Sequence, residues 1–182
     1  MTTRDIRKIV AALVMLVSAV LTYFAAPPTV HAPQESTVQS TRTAELYPVV
    51  HVADGDTIDV MKDGQKVRVR LIGINAPESV DPRRPVQCYG VEASHELKRL
   101  LAEQSVALET DPSQDTYDKY GRLLAYVFTA SSTNVGEHMI ASGFAYEYTY
   151  SLPYKYQKAF KAAQAEAEHA GRGLWAAGVC GR

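Results

Sequence analysis

The sequence predicts an α+β domain: a small antiparallel β-barrel of five strands, best fitted by an OB-type barrel, with three packed α-helices. Three observations lead there. The first three strand candidates are contiguous, two more follow a helix, and the helical patterns gather towards the C-terminus. A ferredoxin-like sheet is the second choice, but its order requires a helix directly after the first strand.

Tyr47 to Val52 is the first strand candidate, ending at the turn dipeptide Asp54-Gly55. Thr57 to Met61 follows, then a second turn at Lys62-Asp63-Gly64. Lys66 to Ile72 alternates with period two: Val67, Val69 and Leu71 share one face, and Arg68 and Arg70 project from the other. Residues 73–87, with three prolines, read as loop. Val91 to Ala102 places Ala93, Leu97, Leu100 and Leu101 at helical spacing. Ser105–Glu109 and Leu123–Phe128 are strands separated by a polar loop with Asp111, Asp115, Asp118 and Gly121. Val135–Ala141 is a short helix stopped by Gly143. Tyr154–Ala170 is a longer one, with Pro153 near its start and Gly171 as its C-cap.

The chain has 182 residues, room for one compact domain and an appendage. Arg4, Arg7 and Lys8 precede eighteen uncharged residues, Ile9 to Ala26, and Val30-His31-Ala32 offers a small residue for cleavage. Residues 1–32 therefore read as an export signal or an N-terminal membrane anchor. Pro33 disfavours cleavage after Ala32, which keeps the anchor reading open. With the basic end inside, the remainder is extracytoplasmic, either secreted or held at the membrane. Residues 33–43 are rich in Pro, Ser, Thr and Gln and read as a flexible tether, so the domain is expected over 44–182.

Without residues 1–32 the chain carries 16 basic and 19 acidic side chains. That balance excludes a broad basic surface, so any contact with nucleic acid must rest on a few placed cations. The two cysteines, Cys88 and Cys180, lack metal-binding spacing. In an exported domain they are expected to form a disulfide, with two free thiols as the alternative. The five histidines show no ligand spacing, and the zincin, Walker A, Gly-x-Ser-x-Gly and dinucleotide-binding motifs are absent.

What remains is a set of carboxylates, amide oxygens and guanidiniums. Asp54-Gly55-Asp56-Thr57 sits at a turn, Arg70 leaves a strand, Asn75-Ala76-Pro77-Glu78 lies in the next loop, and Asp118-Lys119-Tyr120-Gly121-Arg122 opens a later strand. Such groups suit phosphodiester hydrolysis. Arginines donate paired N–H groups to phosphate oxygens, hard oxygens hold a hard cation, and a carboxylate positions or deprotonates water. Taken singly, each piece also passes as a hairpin turn or a solvated strand residue.

Together, in order and spacing, these three blocks resemble the signature of staphylococcal-nuclease-like domains, over roughly residues 46–176. The resemblance implies an OB-type barrel with three helices. It also implies Ca²⁺-dependent endonucleolysis of DNA and RNA with little sequence preference, leaving a 3′-phosphate. By position it makes Asp56, Asn75 and the Ala76 carbonyl the Ca²⁺ ligands, Arg70 and Arg122 the phosphate clamps, and Glu78 the water-activating carboxylate. Lys119 and Tyr120 fall where the family touches a terminal phosphate. Tyr148 and Tyr150 fall near its base-stacking tyrosines, out of clean register. Asn75 departs from the family's usual Asp and removes one negative charge from the metal site. The domain is expected to act as a monomer, with DNA and RNA as substrates. Two other readings are a non-catalytic OB module tethered at the cell surface, binding nucleic acid or protein, and a structural envelope protein.

Overall fold

A computed structural model describes residues 45–83 and 85–181. The expected export or anchor segment, 1–32, and the tether, 33–43, lie outside them. Among the described residues no helix is long and apolar enough to cross a membrane.

Among the described residues seven strands and three α-helices follow one another: β1 (Leu46–Asp54), β2 (Thr57–Lys62), β3 (Gln65–Leu71), β4 (Ile74–Asn75), α1 (Gly90–Leu101), β5 (Ser105–Glu109), β6 (Leu123–Thr129), α2 (Val135–Ala141), β7 (Tyr146–Glu147) and α3 (Gln157–His169). Five of the strands close a barrel in the order β1-β2-β3-β6-β5, with β5 returning to β1. The barrel is not wholly antiparallel as expected, because β3 and β6 run parallel. A parallel pair needs a long crossover, and the chain between Leu71 and Leu123 supplies it through α1 and β5.

Alternation fixes the register. Ile58, Val60, Val69, Val106 and Ala125 are fully buried inside the barrel, while Arg68 and Arg70 project outwards, as the period of two requires. Leu97 from α1, Met139 and Ile140 from α2, and Phe160 from α3 complete the same core. Strand β1 carries two register shifts, and the second falls between Val52 and Asp54, where the strand enters the acidic turn. Bulges commonly re-aim side chains beside a site.

Two features of the fold are absent from the sequence patterns. Ile74–Asn75, in a segment expected to be loop, pairs with Tyr146–Glu147 as a separate two-stranded sheet. Helix α3 begins at Gln157 rather than Tyr154. Tyr154 is buried and donates its hydroxyl to Gly73 O (3.2 Å) and Glu147 Oε1 (2.9 Å), and the Lys155 amide donates to Asp111 Oδ2 (2.8 Å). These tertiary bonds keep 154–155 out of the helix.

Asp111 is the hub of that region. It also accepts from the Tyr126 hydroxyl (2.6 Å) and from the amide and hydroxyl of Ser113 (2.9 and 2.8 Å). Burial opposes its charge, but the bonds from Tyr126, Lys155 and Ser113 outweigh it and hold the carboxyl down at about 2. A folded-state pKa below the unfolded value gives stability that is complete above about pH 4 and lost as pH falls towards 2. Asp111→Asn should therefore cost about 2 kcal/mol at pH 7, and the gap to wild type should narrow below pH 4. Denaturant titrations at pH 7, 4 and 2.5 check this, and a gap independent of pH would contradict it.

Candidate active site

The turn between β1 and β2 buries two carboxylates. Asp54 accepts from the Gly55 amide (2.8 Å) and from Ser79 Oγ (2.6 Å). Asp56 accepts from Thr57 Oγ1 (2.8 Å) through Oδ1 and from the Ala76 amide (3.0 Å) through Oδ2. Gly55 allows this closeness, since a Cβ there would lie 2.6 Å from Ala76 Cβ and 2.9 Å from Ala93 Cβ. The turn, the Ala76 loop and helix α1 are thus locked together.

Arg70, at the end of β3, is 13% exposed and held on several sides. One terminal nitrogen donates to the carbonyls of Leu71 (2.7 Å) and Ile74 (2.9 Å). The other pairs with Asp56 Oδ2 at 3.0 Å and reaches Asn75 Oδ1 at 3.3 Å. Pairing of β4 with β7 sets Asn75 opposite Tyr146. The Tyr148 amide then donates to Gly73 O (2.9 Å), bringing the exposed Tyr148 and Tyr150 rings, 6.3 Å apart, beside the same loop.

Glu78 sits in a loop that is tied at both ends. Its Oε1 accepts from the Val80 and Asp81 amides (2.9 and 3.0 Å), and its backbone exchanges bonds with Gln87, amide to Oε1 and carbonyl to amide (both 2.8 Å). Gly90 lets α1 start against this loop, since a Cβ there would lie 2.6 Å from the Glu78 carbonyl oxygen. Cys88, next to Gln87, is bonded to Cys180 with Cα atoms 5.4 Å apart, which ties the loop to the C-terminal end of the domain.

Electrostatics separates the carboxyls. Burial raises Asp54, and the charges of Asp56 and Glu78 add to that. Burial also acts on Glu78, but the Val80 and Asp81 amides and a hydrogen bond with Asp54 outweigh it and lower its pKa. Glu78 is therefore the first of the pair to ionise, and Asp54 is the one that holds a proton longer. Environments that drive two neighbouring carboxyls apart mark acid–base sites.

Arg122 belongs to a second tight turn. Its amide and Nε donate to Asp118 (2.9 and 2.6 Å), and its guanidinium lies 5.3 Å over the Tyr120 ring, with Lys119 Nζ 5.1 Å from that ring. Arg122 runs directly into Leu123, which pairs with Val69, while Leu124 pairs with Arg70. Arg122 therefore stands just before β6, the strand that runs parallel to β3 beside Arg70. Arg83, in the loop that follows Glu78, pairs with Asp81 (2.9 Å). Among the described residues Arg122 pairs with Asp118 and not with Asp54, Asp56 or Glu78.

Asp56 Oδ2 and Asn75 Oδ1 both converge on one positive nitrogen of Arg70, so the two oxygens lie close to one another. Among the described residues no three His, Cys, Asp or Glu side chains are grouped to hold an ion alone. A cation here would rely on amide, carbonyl and water oxygens as well as carboxylate, the donor set of a hard ion such as Ca²⁺. Sequence reasoning missed two groups that fix the site, Ser79 and Gln87. They touch it through contacts of the folded chain and carry no local pattern.

The chain is similar to known proteins over the same region. Residues 68–177 match the family model described as staphylococcal nuclease homologue. A thermonuclease from Staphylococcus hyicus is 38% identical over 169 residues, 93% of this chain and 98% of that protein. A thermonuclease from Staphylococcus intermedius is 44% identical over 132 residues, 72% of this chain and 76% of that one. Endonuclease YncB of Bacillus subtilis (strain 168) is 38% identical over 123 residues, 67% of this chain and 57% of that one.

Proposed function

The chain belongs to the staphylococcal nuclease homologue family, and on that premise we propose that it is an exported, Ca²⁺-dependent endonuclease. It hydrolyses phosphodiester bonds of DNA and RNA with little sequence preference. The observation that carries this reading is Arg70, fixed on two carbonyls, Asp56 and Asn75.

In this reading Arg70 and Arg122 bind the non-bridging oxygens of the scissile phosphate and stabilise the charge that builds there. Glu78 orients a water for in-line attack on phosphorus and takes its proton. The P–O5′ bond breaks, the departing 5′-oxygen gains a proton, and the phosphate stays on the 3′ side. Asp56, the Asn75 amide oxygen and the Ala76 carbonyl would hold Ca²⁺, which would supply further positive charge at the phosphate. Lys119 and Tyr120 hold a terminal phosphate, and Tyr148 and Tyr150, 45% and 76% exposed, offer stacking faces to bases. The apolar segment within residues 1–32 delivers the domain across the membrane, where it acts as a monomer, free or tethered.

Incubation of an end-labelled single strand with Ca²⁺ tests the proposal. It expects internal cuts ending in 3′-phosphate; 3′-hydroxyl ends would contradict it. Asn75→Asp should lower the Ca²⁺ concentration for half-maximal activity about tenfold, because it restores a charge facing the ion. The maximal rate should move less, since Asp keeps an oxygen for Arg70 to donate to, and Glu78 and Arg122 are unchanged. Calcium titrations of both proteins check this, and coincident curves would remove Asn75 from the ligand set.

A further inference from the structure

The outer face of β3 carries more positive charge than the site above uses. Lys66, Arg68 and Arg70 occupy alternate positions of the strand. Alternate side chains on one strand face stand about 7 Å apart, a step an extended polynucleotide can match from phosphate to phosphate.

Asp59 organises the two cations that the site leaves unused. Arg68 donates Nε and a terminal nitrogen to its two oxygens (2.7 and 3.1 Å), and Lys66 Nζ and His51 Nδ1 each lie 3.5 Å from Oδ2. The strand pairing explains the meeting, since Asp59 is opposite both His51 and Arg68. Exposure decides the sign of this surface. The Asp59 side chain is 1% exposed, against 50% for Arg68 and 61% for Lys66. The carboxylate lies beneath and the cations face solvent. One buried negative charge therefore fixes one side of the Arg68 fork and leaves its other N–H groups pointing outwards.

A stabilising role alone explains this poorly. One cation satisfies Asp59, and half-exposed pairs of this kind add little to stability. The domain is also slightly acidic, so a local row of cations is where its affinity for a polyanion must reside. Arg70 lies two residues on from Arg68, and Arg122 enters beside the same stretch of β3.

We propose that Lys66 and Arg68, supported by Asp59, form a second phosphate subsite that holds a polynucleotide next to the phosphate bound at Arg70. The identity of that neighbouring phosphate as the scissile one rests on the nuclease reading; the binding itself does not.

The test is binding of a fluorescent 12-nucleotide oligothymidylate to the whole domain, in chelator, as a function of salt. For single strands each phosphate contact contributes a slope of about −0.7 in log affinity against log salt. Lys66→Gln should lower the magnitude of the slope by about 0.7. The double variant Asp59→Asn/Arg68→Gln keeps net charge and removes the need for a partner in the core, and it should lower the slope by a similar amount. Combining all three changes should weaken binding about tenfold near 0.1 M salt. The ratio of kcat/KM for the 12-mer to that for a dinucleotide should fall with it. Unchanged slopes and affinities in variants that keep the wild-type thermal transition would overturn the subsite. Absence of cleavage by the wild type would count against the nuclease reading alone, since the binding comparison needs no turnover.

Discussion

Glu78→Gln should lower turnover by a factor on the order of 10² or more while leaving the thermal transition and oligonucleotide binding near wild type. The expectation comes from what the side chain touches. Its Oε1 accepts from the Val80 and Asp81 amides, and a glutamine oxygen can accept the same two bonds. The loop is otherwise held through the Glu78 backbone, by Gln87 and by the approach of Gly90. Its geometry should therefore survive the change. What disappears is the ionised oxygen that the amides keep below the ordinary carboxylate range. Near-normal turnover with an intact fold would remove Glu78 from the chemistry.

Arg70→Lys should be at least as costly, with a fall in turnover on the order of 10²–10³. The guanidinium spans the Leu71 and Ile74 carbonyls on one nitrogen and Asp56 and Asn75 on the other. An ammonium is a point charge and cannot reach both sets while still presenting paired donors to phosphate. Part of the loss will be structural, because Asp56 is buried and depends on Arg70 for neutralisation. Arg122→Lys separates the two effects. Arg122 is held only at Asp118 and over Tyr120, so its replacement should lower turnover strongly with little change in stability. Rates equal to wild type in both lysine variants would mean that the arginines serve as ordinary surface cations.

Much of this was legible in the residues. The alternation in β3 places Arg68 and Arg70 on the outer face, and β5 and α2 have the bounds their patterns predict. The family blocks name Asp56, Arg70, Asn75, Glu78 and Arg122, and folding brings Asp56, Arg70 and Asn75 into direct contact. The rest depends on long-range contacts that leave no local period. Strands β4 and β7 are two residues each, too short to alternate. The start of α3 is decided by Gly73 and Asp111, far away in the chain, and by the nearer Glu147. The parallel pairing of β3 with β6 follows from the crossover through α1 and β5. Asp59 gives no signal by itself; its importance appears only when Lys66 and Arg68 from β3 and His51 from β1 meet it.

The nuclease reading is tested most directly by incubating the purified domain with supercoiled plasmid in Ca²⁺, alongside the same mixture containing chelator. The prediction is nicking and then fragmentation in Ca²⁺, abolished by the chelator and by Glu78→Gln. Intact plasmid in Ca²⁺, from a folded protein that still binds single strands, would contradict it and leave a binding module in its place.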